Sequence, residues 1–304
     1  MTSSQAAGDR FRLPGTLSKP TWLRTRIPAA GAATGVSFLV HALGLHTVCE
    51  QACCPNRGEC WAHGTATFLI LGDTCTRDCA FCAVKSGRPA GPPDPDEPRR
   101  VAEAVATMHL THAVVTSVSR DDLRDGGAAS FAGCLREIRL RAPACRVEVL
   151  IPDLRGDERS LTEVIEARPD VLNHNVETVP RLYSTVRPQA SFERSLDVLK
   201  RSHTAGLVTK SGLMVGLGED SQEIQDTLAG LRAAGVDMLT LGQYLRPSRA
   251  HLPVSRYYAP DEFAELGEHA RRLGFRHVAS GPLVRSSYHA EEQHSSFRAV
   301  TGKP

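Results

Sequence analysis

From residue 65 onward, short apolar runs alternate with stretches of helical period. The runs TATFLIL (65–71), HAVVTSV (112–118), CRVEVLI (145–151), DVLNHNV (170–176), VTKSGLMVG (208–216) and VDMLTLG (236–242) are rich in β-branched residues and short, which predicts buried strands. Residues 97–108, 130–141, 161–167, 191–205 and 223–234 instead space their apolar positions by three and four, which predicts helices with one buried face. Such alternation implies a parallel sheet with right-handed crossovers. Six units predict an α/β fold, a partial (β/α)6 barrel of the TIM type rather than a closed barrel of eight. A helix over 260–273 and a short run, FRHVAS (275–280), complete the pattern. Ahead of it, PAAGAATGVSFLVHALGLH (28–46) predicts a helix of small residues, and the polar stretch 289–304 is expected to fray. The expected organisation is an N-terminal arm (1–64), a barrel (65–280) and a C-terminal extension (281–304), with both extensions packed over the barrel mouth.

In parallel barrels the chemistry gathers where the strands end. Here CTRDCAFC follows the first strand, SVSRDDLRDGG the second, NHNVET closes the fourth, GLGED follows the fifth and GQYLRP the sixth. Gly and Asp there are ordinary loop formers. Asn, His, Glu and Lys converging on one end is a stronger sign of a site.

Composition narrows the class. Hydrophobic residues make up 41% and charged residues 23% of 304, with a formal net charge of +2. So even a balance argues against a protein held to nucleic acid by phosphate contacts, and no run is long and apolar enough for a membrane span. Residues 1–28 lack the apolar centre of a secretory signal but carry Arg and Ser. The expected location is the cytoplasm, or an organellar matrix if that segment is a transit peptide. In a reducing compartment, clustered cysteines mark metal or catalysis rather than disulfides. Nine cysteines are present. Cys134 and Cys145, in apolar settings, are expected to be buried small hydrophobes.

Cys75, Cys79 and Cys82 are spaced C-x3-C-x2-C, with Phe81 before the last. Three thiolates at this spacing suit three corners of a 4Fe–4S cubane and leave one iron open. Zinc would ask for a fourth ligand, which only Asp73 or Asp78 offers nearby. In a loop after the first strand of a parallel barrel, the motif resembles that of the radical S-adenosylmethionine (SAM) superfamily. The resemblance implies SAM chelated on the open iron and cleaved to a 5′-deoxyadenosyl radical, chemistry that a cofactor must carry.

The second set lies upstream, in CEQACCPNRGEC. Cys49, Cys54 and Cys60 fit C-x4-C-x5-C, although spacing alone equally allows Cys49, Cys53 and Cys60. Together with NHNVETVPRLYSTVRP, TKSGLMVGLGE, LTLGQYLRPSRAHLPVSRYYAP and VASGPLVRSSYHA, this pattern resembles the lipoyl synthase family over residues 19–290. The resemblance implies an auxiliary 4Fe–4S cluster on Cys49, Cys54 and Cys60, with a serine of the RSSY block, Ser287 ahead of Ser286, as fourth ligand. It implies that this cluster donates sulfur to C6 and C8 of an octanoyl chain on a lysine of a carrier protein. That carrier would be a lipoyl domain or an H-type protein of glycine cleavage. A ferredoxin- or flavodoxin-like electron donor and an iron–sulfur carrier are further implied partners. Phe81, Asn173, Asn175, Glu177 and Lys210 are expected around SAM, with Arg285 orienting the serine or pairing nearby. Two positions depart from the family pattern: Cys53 replaces a small hydroxyl residue, and Ser119 stands where an acid is usual.

Overall fold

The structure, a computed structural model, describes residues 17–24, 32–51, 54, 56–62, 66–288 and 290–293. Ten strands follow in chain order: β1 His46–Thr47, β2 Thr67–Ile70, β3 Thr74–Cys75, β4 Lys85–Ser86, β5 His112–Ser117, β6 Arg146–Leu150, β7 Val171–Asn173, β8 Thr209–Val215, β9 Met238–Gln243 and β10 His277–Gly281. The helices are α1 Ala32–Ala42, α2 Val48–Gln51, α3 Arg57–Ala62, α4 Glu97–Thr107, α5 Ala128–Arg141, α6 Glu158–Glu166, α7 Tyr183–Val186, α8 Phe192–Thr204, α9 Ser221–Ala233 and α10 Pro260–Arg272.

One sheet of eight strands runs β1-β2-β5-β6-β7-β8-β9-β10. From β2 to β10 every pairing is parallel, and only β1 joins antiparallel, at the β2 edge. The order does not return on itself, so this is an open barrel of six β/α units closed off by β10. FRHVAS thus supplies a seventh parallel strand, His277–Gly281.

Strands β2 and β5 to β9 are buried on both faces, as parallel strands under helices must be. A core of Phe68, Ile70, Val115, Phe131, Leu135, Val147 and Leu172 lies on one flank, and one of Val176, Leu213, Leu228, Leu239 and Phe263 on the other. Cys134 and Cys145 are buried, as expected, in the first of these.

Several helices begin earlier than apolar periodicity predicts, because their first turns are polar and held by caps. Asp157 accepts from Ser160 N at 2.8 Å ahead of α6, and Asp220 with Glu223 forms a capping box on α9. The fourth predicted strand, 170–176, is cut to Val171–Asn173. Beyond it Arg187 Nη1 takes the carbonyls of Asn175 and Val176 at 3.0 and 3.1 Å, and Glu177 turns into the left-handed region at φ 65°. A single bridge, Glu177 to Leu213, resumes the pairing. The stretch 290–293, expected to fray, is helical, because Ala290 is buried and Gln293 donates to the Tyr288 carbonyl. Residues 294–304 lie outside the described residues.

Candidate functional site: two thiol sets at the barrel mouth

The loop after β2 is fixed from three sides. Thr76 N and Oγ1 both donate to the Ser119 carbonyl at 2.9 Å, tying the loop to the end of β5. Ala80 N donates to Val186 O at 3.0 Å, and His251 Nε2 stands 2.9 Å from the Cys82 carbonyl. Beneath the loop the buried Arg77 guanidinium reaches Asp121 at 2.7 Å and Asp153 at 2.5 Å. Burial opposes ionisation of Asp153, but bonding and charge from Arg77 prevail and hold its pKa at about 2.

The loop so fixed brings Cys75, Cys79 and Cys82 within electrostatic reach of one another. Burial raises the Cys82 thiol to about 12 and also raises Cys79, where Arg187 pulls the other way. The bare Cys79 and Cys82 thiols would stay protonated at neutral pH, and bound iron reverses that preference. Cys75 Sγ accepts from two backbone amides, Ser119 N at 3.3 Å and Arg77 N at 3.4 Å. Ser119 thus touches the loop through its main chain. Phe81 packs with Tyr244, Leu252, Leu217 and Met214 in an apolar wall beside the loop.

The second set forms on short helices that sequence periodicity did not reveal. Cys49 lies in α2 and Cys60 in α3. Cys54 joins them through its amide, which donates to Cys49 O at 3.2 Å. The three thiols interact mutually, and burial raises Cys60 to about 12. Cys53 lies outside the described residues.

The C-terminal strap packs against this set. Asn56 Nδ2 donates to Leu283 O at 2.8 Å, and Tyr288 OH reaches Glu59 at 3.2 Å. Ser286 and Ser287 sit in the turn between Arg285, which faces Cys54, and Tyr288, which faces Cys60. Arg285 also faces Glu177, and Glu177 faces Cys79 and Cys82. The two thiol sets therefore open on one region at the strand ends.

Of the residues expected around SAM, Asn175 and Glu177 lie at this mouth. Burial raises the Glu177 carboxyl, against the pull of Arg187. Lys210 does not lie there, and Asn173 is drawn the same way. Lys210 is the second residue of β8, near the opposite end of the barrel, and its ammonium pairs with Glu148 at 3.1 Å. Asn173, its neighbour in register, donates to the same carboxylate at 2.8 Å. The expected cofactor contact of Lys210 is replaced by a buried ion pair. Arg187 had no assigned role in the sequence. Its only signal was its place in the NHNVETVPRLYSTVRP block, since a lone arginine has no periodicity.

The residues present fit the groups the motifs imply. Among the described residues no three His, Cys, Asp or Glu side chains are drawn together for a single metal ion, whereas soft thiolates in wider trios suit cubanes. At the mouth, Asn175 Oδ1 and Arg187 Nε are buried with no partner. One is an acceptor and the other a donor, so a ligand bearing both an ammonium and a carboxylate would satisfy both.

A family model described as the Radical SAM superfamily matches residues 69–231. Among solved structures, methylornithine synthase shares the fold, with a TM-score of 0.53 over 81% of this chain and 77% of that one at 13% identity. SuiB of Streptococcus suis, bound to S-adenosylmethionine, also has a TM-score of 0.53, covering 71% of this chain and 50% of its own at 9% identity. Fold, cysteine loop and family match define a radical SAM enzyme. The lipoyl synthase of Rubrobacter xylanophilus is 55% identical over 93% of this chain and 89% of its own length. That of Methylococcus capsulatus is 56% identical over 91% and 87%. The chain belongs to the lipoyl synthase family, whose members use SAM and two 4Fe–4S clusters.

Proposed function

We propose that the mouth residues divide the family's reaction, insertion of two sulfur atoms at C6 and C8 of an octanoyl-lysine on a lipoyl domain, into two adjoining jobs. When bound, the cofactors supply what no side chain can: a 5′-deoxyadenosyl radical from SAM at one cluster, and sulfur from the other. Cys75, Cys79 and Cys82 hold the radical-generating cluster. Cys49, Cys54 and Cys60 hold the auxiliary cluster, with Ser287 as its fourth ligand. An alkoxide is a harder donor than thiolate, so iron held by it is released more readily. Asn175 and Arg187 bind the amino-acid end of SAM, Glu177 neutralises the cation beside it, and Phe81 forms the apolar wall of the pocket. The arm (1–64) and the extension (281–304) close over the barrel (65–280) and keep water from the reacting carbon. Orientation matters more than acid–base catalysis here, because a radical takes whatever hydrogen lies within reach.

The observation that carries this reading is the seating of the C-terminal strap: Asn56 Nδ2 donates to Leu283 O at 2.8 Å beside the second trio, and the Val284 carbonyl lies on Gly242 at the end of β9, where an added methyl would stand 2.2 Å from it. The test is anaerobic turnover with an octanoyl-lysine peptide, a reductant and SAM. A mass gain of two sulfurs, with about eight irons per chain beforehand, is the expected result. Radical formation without sulfur gain would sink the assignment. We further propose a cytoplasmic enzyme that also serves the H-type carrier of glycine cleavage. In this reading it is reduced by a ferredoxin or flavodoxin and resupplied by an iron–sulfur carrier.

A further inference from the structure

The loop of Cys75 is clasped to the segment after β5 by bonds that run both ways. Thr76 N and Oγ1 donate to the Ser119 carbonyl at 2.9 Å, and the same hydroxyl accepts from Asp121 N at 3.0 Å. Beside it the Arg77 guanidinium forks onto both oxygens of Asp121, Nε to Oδ2 at 2.7 Å and Nη2 to Oδ1 at 2.9 Å. Nη2 also reaches the buried Asp153 at 2.5 Å, which Arg194 holds from the other side at 3.1 Å. The Arg77 side chain is only 4% exposed, so the fork is shielded from competing water. Among these bonds lie the two amides that donate to the Cys75 sulfur, Ser119 N at 3.3 Å and Arg77 N at 3.4 Å. They belong to the very segments that the clasp joins: one to Arg77 itself, the other to the residue two before Asp121.

We propose that Thr76, Arg77 and Asp121 are positioning residues that hold these two amides against the Cys75 sulfur and so raise the reduction potential of the radical-generating cluster. The proposal rests on the reading of Cys75 as a ligand of that cluster. A thiolate sulfur carries more negative charge when its cluster is reduced, so N–H donors aimed at it favour the reduced form. Their effect weakens steeply with distance and misalignment, so donors on a rigid clasp count for more than donors on a free loop. The ion pairs themselves add little field at the sulfur. Arg77 and Arg194 are matched by Asp121 and Asp153, two cations to two anions.

Four single substitutions in the full chain separate position from charge: Thr76→Val, Arg77→Lys, Arg77→Gln and Asp121→Ala. In each of them Asp153 keeps Arg194 and the Arg155 amide, at 3.1 and 3.0 Å, so no buried carboxylate is stranded. Thr76→Val, isosteric and uncharged, decides the matter should an Arg77 variant fail to fold. Two quantities are read. One is the reduction potential of the cluster whose electron paramagnetic signal changes on adding SAM, from a mediated titration of the reconstituted protein. The other is hydrogen exchange of the Arg77 and Ser119 amides in the iron-free protein. All four substitutions are expected to lower the potential, Arg77→Lys included, because lysine keeps the charge without the planar fork. At one fixed poise where little is reduced, the reduced fraction should fall about tenfold, a shift of about 59 mV for one electron. Both amides should exchange about tenfold faster. A potential that follows charge overturns the proposal: down for Arg77→Gln, up for Asp121→Ala and unmoved for Arg77→Lys and Thr76→Val. So does a change in only one of the two quantities, or a Thr76→Val protein unchanged in both. Cys75→Ala tests the underlying reading on its own: if the SAM-responsive signal survives it, the ligand assignment fails, not the clasp.

Discussion

The two ends of the barrel handle buried polarity in opposite ways. Toward the floor, Glu148 receives Lys210 at 3.1 Å and Asn173 at 2.8 Å, with His112 at 3.7 Å. Burial would raise Glu148, but Lys210, His112 and Asn173 outweigh it and bring its pKa to about 2. One cation answers one anion, and of the side chains on that carboxylate Asn173 keeps an Oδ1 without a partner. At the mouth, two guanidiniums, Arg187 and Arg285, lie within electrostatic reach of one carboxylate, Glu177, and of one thiol each, Cys79 and Cys54. Acceptor and donor atoms of Asn175 and Arg187 are left over. The excess positive charge suits anionic iron–thiolate groups, and the leftover atoms suit a zwitterion. Buried polarity that is internally paired holds a fold together, whereas buried polarity that is left open awaits something.

The contrast can be broken most forcefully at the mouth. Cys79→Ala is expected to lower 5′-deoxyadenosine formation by at least ~10³-fold and to remove about half of the reconstituted iron, measured by product chromatography and iron assay. Melting of the apoprotein should hardly shift. At the floor the signs reverse. Lys210→Met leaves Glu148 buried without its lysine partner, at a cost of about 3–5 kcal/mol in denaturant unfolding. The double change Lys210→Met with Glu148→Leu should regain most of that loss. A floor that tolerated Lys210→Met alone would refute its role as a paired plug.

Next in size comes His174. It is buried between Ile151 O at 2.8 Å and Ser195 Oγ at 3.0 Å, and burial lowers its pKa to about 4. Between that value and about 6.5 the unfolded chain binds the proton and the folded one does not. Stability is therefore complete above about pH 6.5 and falls by ~3 kcal/mol as pH drops toward 4. Urea titrations across that range should show the slope, and His174→Gln should flatten it. The smallest effect is expected at Ser119→Ala. Because only the main chain of Ser119 touches Cys75 and Thr76, stability should shift by no more than about 0.5 kcal/mol, and the cluster spectrum should keep its shape.

Much of this was legible from spacing. The strand–helix alternation gave six β/α units because each parallel strand must be apolar on both faces, and the cysteine spacings gave two trios because cubane corners need soft donors at short intervals. Lys210 was misplaced for an instructive reason: its chemistry suggested a site, while its position two residues into a strand already put it at the wrong end. Asn173 and Asn175 look alike in sequence, yet register commits one to Glu148 and leaves the other open. The short helices carrying Cys49 and Cys60 have too few turns to show a period, and the contact between Val284 and Gly242 joins residues 42 positions apart, beyond any local pattern.

The seat on Gly242 also bears on the order in which the enzyme is built. Residues 282–288 leave the ribosome after every strand of the sheet has been made, and domains organise from the N-terminal side during synthesis. The loop of Cys75, Cys79 and Cys82 is thus in place while the other trio still lacks its cover. For that interval Cys49, Cys54 and Cys60 stand uncovered, and the arrival of the strap closes the door over them.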